Sequence, residues 1–191
     1  MPTEGGSFTN HPGVIDFRGK TYLFYHNGDL PGCGGFTRSV CVDELVFNAD
    51  GSIRRMKMGK GIDKGLSLLN PYVKNEAETI AWSEGFKAFQ NDRVGVFVTA
   101  DRGGSYIKVK EVDFRSGGAK KCTARVGTTH NTPVKLEIHL DGIEGRPVGE
   151  INIPRTGGDD RWSVVTTDVP EITGVHDLYF VARGDVPGRL M

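Results

Sequence analysis

At 191 residues the chain has room for one domain, or for one domain and part of a second. Its 24 Lys and Arg residues balance 24 Asp and Glu, which leaves no basic field to hold nucleic acid or anionic lipid. No apolar run is long enough to span a membrane, and Met1-Pro2-Thr3-Glu4 lacks the basic start and apolar core of a signal peptide, so none is expected here. In chain order, Val14 to Phe17, Arg18-Gly19-Lys20 and Thr21 to His26 read as a hairpin around a glycine-containing turn. Phe36 to Phe47 is a second β-rich run, ending at the turn signal Asn48-Ala49-Asp50-Gly51.

From Arg54 to Leu69 the alternation is lost, and these residues read as a connector with a boundary near Leu69-Asn70-Pro71. The predicted division is therefore residues 1–53, a connector at 54–69, and a second module at 70–191. Further strands are predicted at Ser105 to Val109 and Lys121 to Val126. Along the next, Val134, Leu136, Ile138 and Leu140 point one way while Lys135, Glu137 and His139 point the other. Asp141-Gly142 turns the chain, and Glu150 to Ile153, Trp162 to Val165 and Val175 to Val181 follow. Many short strands separated by turn signals predict an all-β fold, a β-sandwich in the second module. Thr79 to Phe89 comes nearest to a helical stripe, and Gly85 interrupts it.

Cys33, Cys41 and Cys122 cannot all pair with one another and match no zinc spacing. Free thiols are expected, with a Cys33–Cys41 bridge as the alternative. Gly28 to Gly35 is glycine-rich, but no Lys-Ser/Thr pair follows, so it reads as a turn region and not a phosphate cradle. Glu76 and Glu78 are more informative. Two residues apart on a strand, their carboxylates leave the same face. Like charges that close favour a hard cation between them, calcium above all; the plainer reading is a solvated strand face. Trp82, Phe97, Tyr106 and Trp162 are the aromatic candidates for stacking on a ligand, although a tryptophan in a sandwich more often packs in the core.

Asn10-His11-Pro12-Gly13 with Gly35 through Cys41, and then Glu76-Ala77-Glu78 with Gly174 through Phe180, make a recognisable order. Together they resemble the C-terminal part of a family 43 glycoside hydrolase joined to a family 6 carbohydrate-binding module. The resemblance implies a jelly-roll sandwich preceded by part of the last blade of a five-bladed propeller. It implies a structural calcium on Glu76 and Glu78, with a further ligand from a final strand that this chain lacks. His11 matches a histidine near the propeller axis that helps hold a cation or water, and Arg38 an arginine facing the substrate pocket. The implied catalytic carboxylates of the inverting hydrolase lie in earlier blades, so no catalytic residue is assigned here.

The family's main sugar cleft stacks a tyrosine and a tryptophan at the places of Ala100 and Asp159, so that cleft is expected to be disabled. Trp162 matches a second family tryptophan that packs inward. Substrate contacts are therefore expected from Arg38, Trp82 and Trp162, and metal contacts from Glu76, Glu78 and His11. The implied parent is an arabinofuranosidase or β-xylosidase acting outside the cytoplasm (extracellular or periplasmic). Its partners would be plant xylan or arabinoxylan and the remaining propeller blades, with no nucleic acid and no membrane. A module that only buttresses the propeller is the alternative.

Overall fold

The period-two alternation governs both halves of the molecule. The computed structural model describes residues 9, 11–29, 35–59, 62, 66–129, 131–157 and 160–184. It divides into two units, Met1–Gly65 and Leu66–Met191. Every regular element among the described residues is a β-strand, and no helix there is long and apolar enough to cross a membrane.

In the first unit, β1 (Gly13–Phe17) and β2 (Lys20–Asn27) form the expected hairpin. Its two-residue turn holds Arg18 and Gly19 at φ of 52° and 76°, the left-handed pair whose twist suits a tight hairpin. β3 (Ser39–Leu45) pairs along the other edge of β2, giving the order β1-β2-β3. The run from Phe36 therefore enters the sheet only at Ser39. Asp43 is the polar anchor of this unit. Its Oδ2 accepts 2.6 Å from the buried Tyr25 hydroxyl and 3.1 Å from the Gly59 amide, tying the segment after β3 to the sheet. Burial, together with the bond to Asp43 and its charge, pushes the Tyr25 phenol well above its ordinary range.

The second unit has two layers. One is a five-stranded antiparallel sheet in the order β10-β9-β12-β7-β4. Its strands are β4 (Trp82–Glu84), β7 (Tyr106–Asp113), β9 (Val134–Leu140), β10 (Gly149–Ile153) and β12 (Val175–Arg183). The other layer is built from the pair β5 (Phe86–Asn91) and β6 (Gly95–Ala100) and the pair β8 (Ala119–Val126) and β11 (Ser163–Ile172). Leu136, Ile138, Ile151, Ile153, Leu178, Phe180 and Ala182 of the first layer meet Phe86, Ala100, Cys122, Ala124, Val126 and Val165 of the second in one core. Val112, Phe114 and Ile172 form a smaller core beside it. The second unit is thus the expected β-sandwich.

Two expectations need correction. The sequence pattern predicts no strand between Glu78 and Ser105, yet β4, β5 and β6 lie there, and Gly85 marks the point where the chain passes from one sheet to the other. The Glu76–Glu78 spacing predicts a strand, and the structure has a turn there: the Thr79 amide donates 3.0 Å to the Glu76 carbonyl, and the Ile80 amide donates 2.8 Å to that of Glu78. Chain reversal satisfies these backbone groups locally, so no neighbouring strand is needed. Cys41 and Cys122 are free thiols, and burial raises the pKa of both; Cys33 lies outside the described residues.

Candidate functional site

The face of the five-stranded sheet opposite the core carries the most suggestive constellation. Register fixes its composition. Ile107, Phe180 and Ile138 are cross-strand partners in one row, and Phe180 and Ile138 pack in the core. The adjacent row, Trp82–Lys108–Tyr179–His139, therefore lies on the other side, with His139 itself buried. Tyr106, opposite Glu84 and Val181, lies on the same side, and its ring is 6.1 Å from that of Tyr179. Trp82, on edge strand β4, is 50% exposed.

Charged groups on this face are neutralised in place. Lys108 Nζ lies 2.6 Å from Asp177 Oδ2 and 5.4 Å from the centre of the Tyr179 ring. The bond to Asp177 raises the Lys108 pKa against the opposing effect of burial. Burial alone would raise the Asp177 carboxyl, but bonds from Lys108 and the Glu111 amide outweigh it and hold the group low. Further along, Glu137 takes 2.8 Å from Arg183 Nε and lies 3.2 Å from His139 Nε2. Lys135 sits 2.6 Å from Glu150 and 3.6 Å from Glu137. A sheet face with aromatic rings and fixed donors and acceptors suits an uncharged, hydroxyl-rich ligand.

The other predicted residues are distributed as follows. Trp162 is half-buried; Phe97 meets it edge-on with ring centres 5.4 Å apart, and the Arg125 guanidinium lies 5.7 Å over its ring. Phe97 in turn stacks with Phe89 at 6.3 Å. Ala100 is wholly buried, so no stacking platform exists at that position, and Asp159 lies outside the described residues. Glu76 is exposed, with the Lys74 ammonium 2.7 Å from its carboxylate. Glu78 Oε1 is buried and has no hydrogen-bond partner. Among the described residues no group of three or more His, Cys, Asp or Glu side chains is placed to hold a metal ion. In the first unit Arg38 is exposed immediately before β3, and His11 is exposed with its ring 5.9 Å from the buried His26.

Lys108 and Tyr179 do not stand out in the sequence. Val175 to Val181 is apolar at most positions, so alternation does not separate its two faces. Only the pairing of Tyr179 with Lys108 and His139 reveals which side it takes.

A two-layer sandwich that carries aromatic side chains and paired polar groups on the outer face of one sheet, with a half-exposed tryptophan at its edge, has the build of a small carbohydrate-binding module. Residues 76–190 match the family model described as Carbohydrate binding module (family 6), and the chain belongs to that family. It is 36% identical to the arabinoxylan arabinofuranohydrolase of Bacillus subtilis (strain 168), in an alignment covering 98% of this chain and 40% of that enzyme. A crystal structure of a glycoside hydrolase family 43 arabinoxylan arabinofuranohydrolase from Bacillus subtilis, in complex with cellotetraose, superposes with a TM-score of 0.83 and 36% identity. That match covers 95% of this chain and 39% of the enzyme. A family 6 module from Clostridium cellulolyticum, in complex with xylose, matches with a TM-score of 0.57 and 29% identity, over 64% of this chain and 92% of that module. The chain therefore spans about two-fifths of the hydrolase and nearly the full length of the isolated module.

Proposed function

We propose that this chain is the carbohydrate-binding part of a hemicellulose-degrading glycoside hydrolase, and that it holds plant xylan or arabinoxylan on the outer face of the five-stranded sheet. The half-exposed Trp82 carries the reading. An indole at a sheet edge offers a flat apolar surface to the C–H face of a pyranose; its cross-strand partner Lys108, bonded to Asp177, and Glu84 two residues along β4 are the polar groups on the same side. With Ala100 buried, the family's usual stacking position has no side chain to offer, which favours this other face. The similarity to an arabinoxylan arabinofuranohydrolase over almost the whole chain supports the substrate class.

The first unit, on this reading, is part of the last blade of that hydrolase's propeller, with Arg38 facing the substrate pocket of the whole enzyme and His11 near the propeller axis, where it helps hold a cation or water. Its three-stranded antiparallel sheet has the form of a blade. Val14, Ile15, Phe17, Phe24 and Val40 are exposed on it, as expected of a sheet that packs against further blades.

A structural calcium is the fitting cation for the Glu76–Glu78 turn. The orphaned Oε1 of Glu78 is an oxygen in search of a charge, while Glu76 would exchange its Lys74 partner for the ion. The test of the sugar reading is isothermal titration of the 191-residue chain with xylo-oligosaccharides. Saturable heat that disappears in Trp82→Ala supports it, and a folded chain giving no heat leaves a module that only buttresses the hydrolase.

A further inference from the structure

We propose that His176 is a positioning residue for this face, a lock that holds Lys108 and Tyr179 in place through Asp141 and Asp177 while its ring donates from both nitrogens. The inference rests on the sugar-binding reading above and adds a control to it. His176 Nδ1 lies 2.7 Å from Asp141 Oδ2, and its Nε2 lies 2.9 Å from the Thr173 carbonyl. Both partners can only accept. A neutral imidazole has one N–H, so the two bonds coexist only in the imidazolium. The bond to Asp141 accordingly raises the His176 pKa above its ordinary value, against a smaller opposing effect of burial. With a side chain 30% exposed, the ring can exchange its proton with solvent.

The lock reaches the binding face in two steps. Asp141 clasps the backbone of Asp177 from both sides: its Oδ1 accepts 3.0 Å from the Asp177 amide, and its own amide donates 2.8 Å to the Asp177 carbonyl. The Asp177 carboxylate then receives the Glu111 amide at 2.9 Å and the Lys108 ammonium at 2.6 Å. Lys108 is the direct cross-strand partner of both Trp82 and Tyr179.

Backbone geometry marks the same spot. Asp141 and Glu111 hold φ at 61° and 54°, left-handed values that few residues with a side chain adopt, Asp more readily than Glu. Both are bonded to Asp177, and the pairing of β12 with β7 slips between His176 and Leu178. The charged groups on the elements that meet His176 are Asp141, bonded to it, Asp113 on β7 opposite Val175, Arg115, whose carbonyl holds the Gly174 amide, and Asp177, the next residue, on which Lys108, Lys110 and the Glu111 amide act. Arg115 does not screen the ring: its amide is held by Asp113 Oδ1 at 2.9 Å, and its guanidinium lies 5.4 Å over Tyr72.

Loss of the second N–H removes the bond to Asp141 or the bond to the Thr173 carbonyl; without the former, the Asp141 carboxylate that holds the Asp177 amide is no longer anchored. Xylo-oligosaccharide affinity of the full chain should fall about fivefold as pH rises through the His176 transition, the low end of ordinary coupling between linked sites. In Asp141→Asn the midpoint should move to lower pH, because the carboxylate that retains the proton is gone. In His176→Gln affinity should be flat with pH. The amide resonances of Glu111 and Asp177 should follow the His176 midpoint in wild type, a readout independent of sugar, with thermal melts checking that each variant is folded. Wild-type affinity that is flat with pH, while Trp82→Ala abolishes binding, overturns the lock and leaves the binding face standing. Trp82→Ala binding as tightly as wild type overturns the face and the lock with it. Amides that ignore the His176 transition overturn the lock alone.

Discussion

Gly85 approaches Ser105 so closely that a Cβ on the glycine would lie 2.1 Å from the Ser105 hydroxyl oxygen, and 2.7 Å from the Asp101 carboxylate bonded to that serine. Gly85 also holds φ at 68°. Steric contact and left-handed backbone therefore both demand glycine where β4 gives way to β5. Gly85→Ala should cost about 2 kcal/mol or more in urea unfolding. An unchanged unfolding midpoint would show that the crossover between sheets tolerates a side chain.

Ile138 is almost wholly buried where the two layers meet. Ile138→Ala removes packed methylenes that the neighbours cannot fully replace, and about 3 kcal/mol of stability should go with them. A loss under 1 kcal/mol on chemical denaturation would mean that the layers close over the gap.

That core was readable where one face alone is apolar. Val134, Leu136, Ile138 and Leu140 alternate with Lys135, Glu137 and His139, and β9 spans just those residues. The strand at Trp162 to Val165 was underestimated because Thr166, Thr167, Asp168 and Pro170 look like loop, yet β11 runs to Ile172 with a register shift between Asp168 and Ile172. The β5–β6 hairpin was missed because Phe86, Phe89 and Phe97 are apolar on both faces, so no period stands out; its turn residues Asn91, Asp92 and Gly95 were the usable signal. The Glu76–Glu78 spacing was legible as a pair of carboxylates but could not distinguish a strand from a turn. Trp82 was named from its type alone, and its edge position is a product of tertiary pairing.

Stability should pass through a maximum in mildly acidic solution. The His176 pKa is raised in the folded chain, so its contribution is fully present below its ordinary value near 6.5 and is lost as pH rises through the folded value. Glu137 and Asp177 have lowered values, so theirs is fully present above the ordinary 4.5 and 3.8 and is lost as pH falls through the folded values. Urea midpoints should be highest between about pH 5 and pH 6.5 and should decline on both sides. Asp141→Asn should flatten the alkaline side. An alkaline decline unchanged in that variant would assign it to another group.

Calcium should raise the melting temperature relative to chelator, with a gain near 2.7 kcal/mol at a free concentration about a hundredfold above the dissociation constant. Glu78→Gln should abolish the gain, because the orphaned oxygen is the one an ion would satisfy. Identical melts in calcium and chelator would leave Glu78 without a cation.

Sugar recognition on the outer sheet face is tested most directly by comparing wild type with Trp82→Ala in affinity electrophoresis through soluble arabinoxylan. Trp82 is half exposed, so its truncation should leave the fold within about 0.5 kcal/mol of wild type, and a loss of binding can be read as loss of contact. Retardation of the wild-type chain that falls about tenfold or more in Trp82→Ala, with Trp162→Phe still retarded, is the expected result. Equal retardation of wild type and Trp82→Ala, or none for a folded wild-type chain, contradicts sugar binding by this face.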